Sequence, residues 1–368
     1  MSQTSLSKYV VRLLVVILLG TAMAASQDAS SSVKAEIERV QQSLKDKPVS
    51  NPDFPNLPSA IEARLKDAAA ALSAGRLYLS LERLGEAEDY LQGLRVVDEK
   101  VAAIKDSLPA FESEWGKANL QLTALEKSAR QRDWSRASAA VRAISEAAQG
   151  RAIPLLEGGR GFATATKPQD GLFYMGQAQG EAAFAIFVSR LPSPRTATAI
   201  PLRSVLPELE ALQEKTNAAF QPPRSIDMHP RFIALNSTIK SARELDSSKA
   251  YTGALYQYLE AVRHFGMLDP AEPDAAKQAA LRNAVAEELK KLNAAKRDDS
   301  IAQIFLERAG GWLSKADGSA PSGDEWRAIK VIVEQVLPAY YAALKPAAPA
   351  QQQTTRTATL TLVRWPYT

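Results

Sequence analysis

Leu77, Leu81, Leu84, Leu91, Leu94, Val101 and Ile104 follow one another at intervals of three, four or seven, which puts them on one stripe of a long α-helix. Leu120, Leu122 and Leu125 belong to the next candidate helix, Val141 and Ile144 to another, and Leu281, Val285, Leu289 and Leu292 to a fourth. Alanine, glutamate, lysine and arginine fill the positions between, residues that favour helix and lose little side-chain freedom in it. From Val33 to Leu344 no run of alternating β-branched residues interrupts this pattern. The chain is therefore expected to be all-α. The two-lobed α/β architecture of solute receptors is excluded, because its sheets need recurrent strands between the helices.

Proline divides the helices into groups. Pro48, Pro52, Pro55 and Pro58 predict an extended connector between a first short helix, about Val33 to Asp46, and the main body. Further breaks fall at Pro192, Pro194 and Pro201, at Pro222, Pro223 and Pro230, and at Pro270 and Pro273. The expected organisation is residues 25–56 as helix and connector, helical hairpins over 57–200 and again over 201–345, and a low-complexity linker leading into a tail at 346–368. In that tail Thr357, Thr359 and Thr361 alternate with Ala358, Leu360 and Leu362, the clearest strand signal in the chain. Leu360, Leu362 and Trp365 would contact a partner's sheet edge if the strand pairs there.

Three hairpins resemble degenerate tetratricopeptide repeats. In the best match, Ile239 to Gly266, Ala242 takes the small position of the first helix and Tyr251 the aromatic position near the turn. Ala254, Tyr258 and Ala261 then fall at the small, large and small positions of the second helix. Asp133, Trp134 and Ala137 match a second turn, with Leu125 where a small residue belongs; Ala74-Gly75-Arg76-Leu77, followed by Ser80, Leu84 and Ala87, makes a third. The turn residues Leu77, Trp134 and Tyr251 are not spaced by multiples of the family's repeat. The resemblance implies antiparallel hairpins stacked into a solenoid; an irregular helical bundle would place small residues at its crossings for the same reason.

Residues 1–24 read as a secretory signal peptide. Lys8 and Arg12 precede an unbroken apolar run from Leu13 to Leu19, and Ala22-Met23-Ala24 offers small residues for cleavage. That run is far shorter than the roughly 18–20 residues a membrane span needs, so no stable span is expected after cleavage, and the product is expected to be periplasmic or secreted. Cysteine is absent, so neither a lipid anchor nor a disulfide is available. Losing Lys8 and Arg12 from 45 basic residues leaves 43 against 41 acidic ones, without a basic cluster, and no nucleic-acid partner is implied.

Inventory removes most chemistry. With His229 and His264 as the only histidines and no cysteine, no usual zinc site can be assembled, and neither a phosphate loop nor a nucleophile elbow occurs. Gly158-Gly159-Arg160-Gly161 lacks the strand and lysine of a nucleotide loop and is expected to be a turn between helices. His229 precedes Pro230 and has no acidic residue spaced to work with it. His264 lies four residues after Glu260 and eight after Tyr256, so the three share a helix face. The plain expectation for that face is an exposed i,i+4 ion pair with a protonated imidazole; the functional one is an acid/base pair and a hydroxyl lining a groove. Trp115, Trp134, Trp312, Trp326 and Trp365 could carry sugar-binding platforms, but their scatter favours core packing for four of them. Gly171 to Phe187 is expected to be a buried central helix.

The expected function is an exported helical-repeat binding or scaffolding module that engages a peptide or protein partner in the cell envelope, without metal or cofactor. The alternative is an α/α-barrel carbohydrate-active enzyme with Tyr256, Glu260 and His264 as acid/base candidates, which would need a second carboxylate across the groove.

Overall fold

Helical period becomes helix from Ala29 onward. The computed structural model describes residues 29–345, apart from short interruptions at 50, 52, 131, 136, 192–197, 222–227, 269–270 and 316–317. The leader and the 346–368 tail, with Leu360, Leu362 and Trp365, lie outside the described residues. The elements are α1 (Ala29–Asp46), α2 (Leu57–Ser73), α3 (Leu77–Ile104), α4 (Leu108–Arg130), α5 (Ala139–Ala165), α6 (Gly171–Ser189), α7 (Leu206–Ala219), α8 (His229–Ser247), α9 (Tyr251–Gly266), α10 (Ala275–Ala294), α11 (Ser300–Leu313), α12 (Gly323–Val331) and α13 (Leu337–Ala343). A π turn over Ile332–Val336 joins the last two, where Pro338 removes the N–H and crowds the carbonyl four residues back. Among the described residues there is no sheet, only an isolated bridge between Thr198 and Arg297.

Two hairpins close in the same way. Gly75, at φ +72°, donates to the Leu72 carbonyl and Arg76 to that of Ala71, the left-handed cap that turns α2 into α3. Lys249 (φ +63°) and Ala250 repeat this between α8 and α9, donating to Asp246 and Leu245. Ala242, Ala254 and Ala261 of the α8–α9 hairpin are fully buried. Lysine carries a Cβ penalty in this conformation that glycine does not. Lys249→Gly is expected to raise stability by about 0.5–1 kcal/mol, the relief being partly offset by a freer unfolded chain; a urea midpoint that does not move upward would contradict it.

Helix α3 is the spine, packed by α2 along one side and α6 along another. Glycines set how close α6 comes. A Cβ at Gly176 would sit 2.5 Å from the Gln92 carbonyl oxygen, and one at Gly180 would sit 3.1 Å from Asp89 Cα. Gly85 and Gly93 on α3 receive the rings of Phe184 and Phe173. Gly171–Ser189 is thus the buried helix its composition predicts, and its approach brings Glu181 up against Asp89.

Gly158-Gly159-Arg160-Gly161 is not a turn: it lies inside α5. Gly159 faces the start of α6, where a Cβ would come within 2.8 Å of the Gly171 carbonyl oxygen, so close approach justifies a residue that otherwise weakens helix. Of Leu120, Leu122 and Leu125 only Leu122 is buried, Leu120 being 74% exposed. The main apolar core draws on α1–α3 and α5–α13, crossing residue 200; a smaller one around Phe111, Leu156, Leu172 and Met175 joins α3 through α6. Among the described residues no helix is long and apolar enough to cross a membrane.

Several helix starts are capped from elsewhere in the chain. Glu307 of α11 accepts from the backbone N–H groups of Tyr78 and Leu79 at 2.7 and 3.1 Å, and Asp246 of α8 accepts from Val205 at 2.7 Å. Glu146 of α5 takes the Gly253 N–H, and Asp298 and Ser300 take those of Ala139 and Ala140. Each buried carboxylate thus meets the positive end of a helix and binds donors that the helix itself cannot satisfy.

Candidate functional site

Tyr256, Glu260 and His264 do share one face of α9, but the expectation that this face is an exposed ion pair is overturned. Tyr256 and Glu260 are buried and His264 half-buried, because α3, α5, α6, α8 and α11 surround the face and leave a cavity of about 440 Å3. Helix α3 contributes Glu82, Glu86 and Asp89, at steps of four and three, with Arg83 beside them; α5 contributes Arg151, α6 Glu181 and Phe184, and α11 Arg308 and Trp312.

Arg308 ties the walls together. Its guanidinium donates to Glu260 Oε1 at 2.7 Å and to both carboxylate oxygens of Glu82, the Nε contact being 3.2 Å. The Tyr256 hydroxyl donates to Glu82 Oε1 at 2.9 Å, and Arg263 donates to Glu260 Oε2 at 2.8 Å. Burial alone would raise the Glu260 pKa, but Arg308 and Arg263 outweigh it and hold the carboxyl well below its ordinary range. Glu260 is consequently a fixed anion rather than a proton donor. Burial, with the charges of Glu82 and Glu260, pushes the Tyr256 phenol well above its ordinary value, so this hydroxyl stays protonated.

The protonated imidazole expected at His264 is also corrected. Burial, then the charge of Arg263, lowers its pKa to about 4 even though Glu260 pulls the other way. His264 is therefore neutral near pH 7, and with Nε2 3.4 Å from the Arg263 guanidinium the ring proton belongs on Nδ1. Across the cavity Arg151 makes a bidentate pair with Glu181, the Nη2 to Oε2 contact being 2.8 Å. Beside them Asp89 Oδ1 is buried and accepts from no donor. Burial and the neighbouring Glu181 charge push the Asp89 pKa well up, which favours the protonated carboxyl beside Glu181.

Gln257 was not singled out by the sequence. The residue is only 5% exposed and lines the cavity; its amide makes no hydrogen bond to protein among the described residues and opens to the cavity. The clue was available, since Gln257 follows Tyr256 and the polar steps Glu82–Glu86–Asp89 and Arg308–Trp312 repeat the spacing of Glu260–His264. Of the tryptophans expected in the core, Trp326 is buried; Trp115, Trp134 and Trp312 are half-buried, and Trp312 lines the cavity. His229 begins α8 beside Phe220, away from these groups. Among the described residues no three His, Asp or Glu side chains converge as metal ligands. Comparison with protein-family models, curated proteins and solved structures gives no significant match, so the cavity is interpreted from its own chemistry.

Proposed function

We propose that this protein is an exported helical binding protein that takes up a small polar molecule in the cavity between α3, α5, α6, α9 and α11. The observation that carries the reading is a concave site into which the Gln257 amide opens without a protein partner. An amide open to the cavity can both donate to and accept from an entering ligand. The size of the cavity falls in the range of about 300–1,000 Å3 found for small-molecule sites. Export rests on Lys8, Arg12 and the Leu13–Leu19 run; recognition of a protein or peptide partner would rest on the 346–368 tail.

The hydrolase reading is supported less well. It needs a proton donor opposite a carboxylate that is free to act. Glu82, Glu86, Glu181 and Glu260 are each bound to arginine, so none of these four is free to act opposite Asp89. Native mass spectrometry of protein released gently from cells is expected to detect one small-molecule adduct per chain, lost on acid unfolding. A bare-chain mass, together with no thermal shift in a deproteinised cell extract, would refute the binding role.

A further inference from the structure

We infer that the ligand of this cavity is an uncharged polyhydroxylated molecule of one or two sugar rings. This inference deepens the binding role proposed above and depends on it.

Charge balance is the first argument. Four arginines, Arg83, Arg151, Arg263 and Arg308, face four glutamates, Glu82, Glu86, Glu181 and Glu260, and each arginine is paired within the set. His264 adds no charge near neutral pH, and burial with the neighbouring Glu181 charge biases the Asp89 carboxyl toward its neutral form. An anion entering here would compete with a glutamate for its guanidinium, and a cation would do the converse. A zwitterion needs a free charge of each sign, and the walls offer neither. An apolar ligand would leave the Gln257 amide and the Trp312 indole N–H, which likewise has no protein partner, buried beneath it.

Hydroxyl groups fit what is left. An arginine–glutamate pair presents donors and acceptors side by side, and a hydroxyl both donates and accepts. Arg151 lines the cavity with 41% of its side chain accessible, which leaves guanidinium N–H groups available beyond its pair with Glu181. Gln257 adds a donor and an acceptor on one planar group, and Asp89 a carboxyl. Trp312, half-buried at the cavity wall, supplies an apolar face for the C–H surface of a ring. The match lies in this mixture, dense in neutral hydrogen-bonding capacity and carrying no spare charge.

The test is isothermal titration of the purified protein with glucose, N-acetylglucosamine, maltose and cellobiose, beside glucose 6-phosphate, glucuronate, glucosamine and the dipeptide Ala-Ala. At least one neutral sugar is expected to bind one to one, at least tenfold more tightly than any charged or zwitterionic member. Gln257→Leu, which keeps the volume and removes the amide, is expected to weaken that binding at least tenfold while leaving the melting temperature unchanged or higher, since the amide bonds nothing in the protein. Tighter binding of a charged or zwitterionic member, abolished by Gln257→Leu, would overturn the ligand class and leave the binding cavity standing. No binding by any member at millimolar concentration would overturn the ligand class, and the adduct measurement then decides the binding role separately. Sugar binding unaffected by Gln257→Leu would place the sugar elsewhere and overturn the inference for this cavity.

Discussion

Arg308→Met is expected to destabilise the protein by about 3–5 kcal/mol, the usual cost of removing one partner from a buried ion pair. Only 12% of the Arg308 side chain is accessible, and among the described residues it is the sole guanidinium bound to Glu82. Methionine fills similar volume, so the loss is electrostatic rather than a cavity effect. Glu260 keeps Arg263, whereas Glu82 keeps only the Tyr256 hydroxyl and becomes a buried anion without a counter-charge. One consequence separates this from a general loss of packing: adding Glu82→Gln should restore a large part of the loss. Chemical denaturation of the single and double variants checks it; a loss below about 1 kcal/mol, the range of a solvent-screened pair, would mean that cavity solvent shields these charges.

The same residues mark how far the sequence could be read. Helix positions follow from periodicity, and the stripe from Leu77 to Ile104 is a single 28-residue helix because burying one face is a local pattern. Its polar counterpart was equally regular, since Tyr256, Glu260 and His264 do share a face. What periodicity could not supply is what covers that face. The exposed ion pair became a cavity wall because helices distant in sequence close over it, and the imidazole proved neutral because that burial, with the Arg263 charge, outweighs Glu260. Helix starts were illegible for a related reason. Arg76, Val205 and Ala250 are poor capping residues, and the carboxylates that serve α3, α7 and α9 lie 229, 41 and 107 residues from the groups they bind. At Gly159 a local rule was overridden: glycine disfavours helix, but the approach of α6 requires the missing side chain.

Glu307 is the capping carboxylate whose charge state should be visible in stability. Burial raises its pKa from 4.5 to about 7, against the lowering effect of the Leu79 and Tyr78 N–H groups. Between those two values the folded protein holds the proton and the unfolded chain has lost it, so this group makes unfolding progressively easier as pH rises from about 4.5 to 7. The total is about 3 kcal/mol, from about 1.4 kcal/mol for each unit of difference. His264 acts in the opposite sense. Its pKa falls from 6.5 to about 4, so the unfolded chain binds the extra proton and stability rises with pH across that window. The two contributions partly cancel in the parent protein, and the difference from a Glu307→Gln variant isolates the first. Glutamine can accept the Tyr78 and Leu79 N–H groups through its carbonyl oxygen while Gln303 reverses its amide to meet the new NH2 group. The variant is expected to gain about 3 kcal/mol relative to the parent between pH 4.5 and 8, measured as urea unfolding free energies at matched ionic strength. A difference that stays level across that range would mean that Glu307 is ionised throughout, its helix-end contacts outweighing its burial.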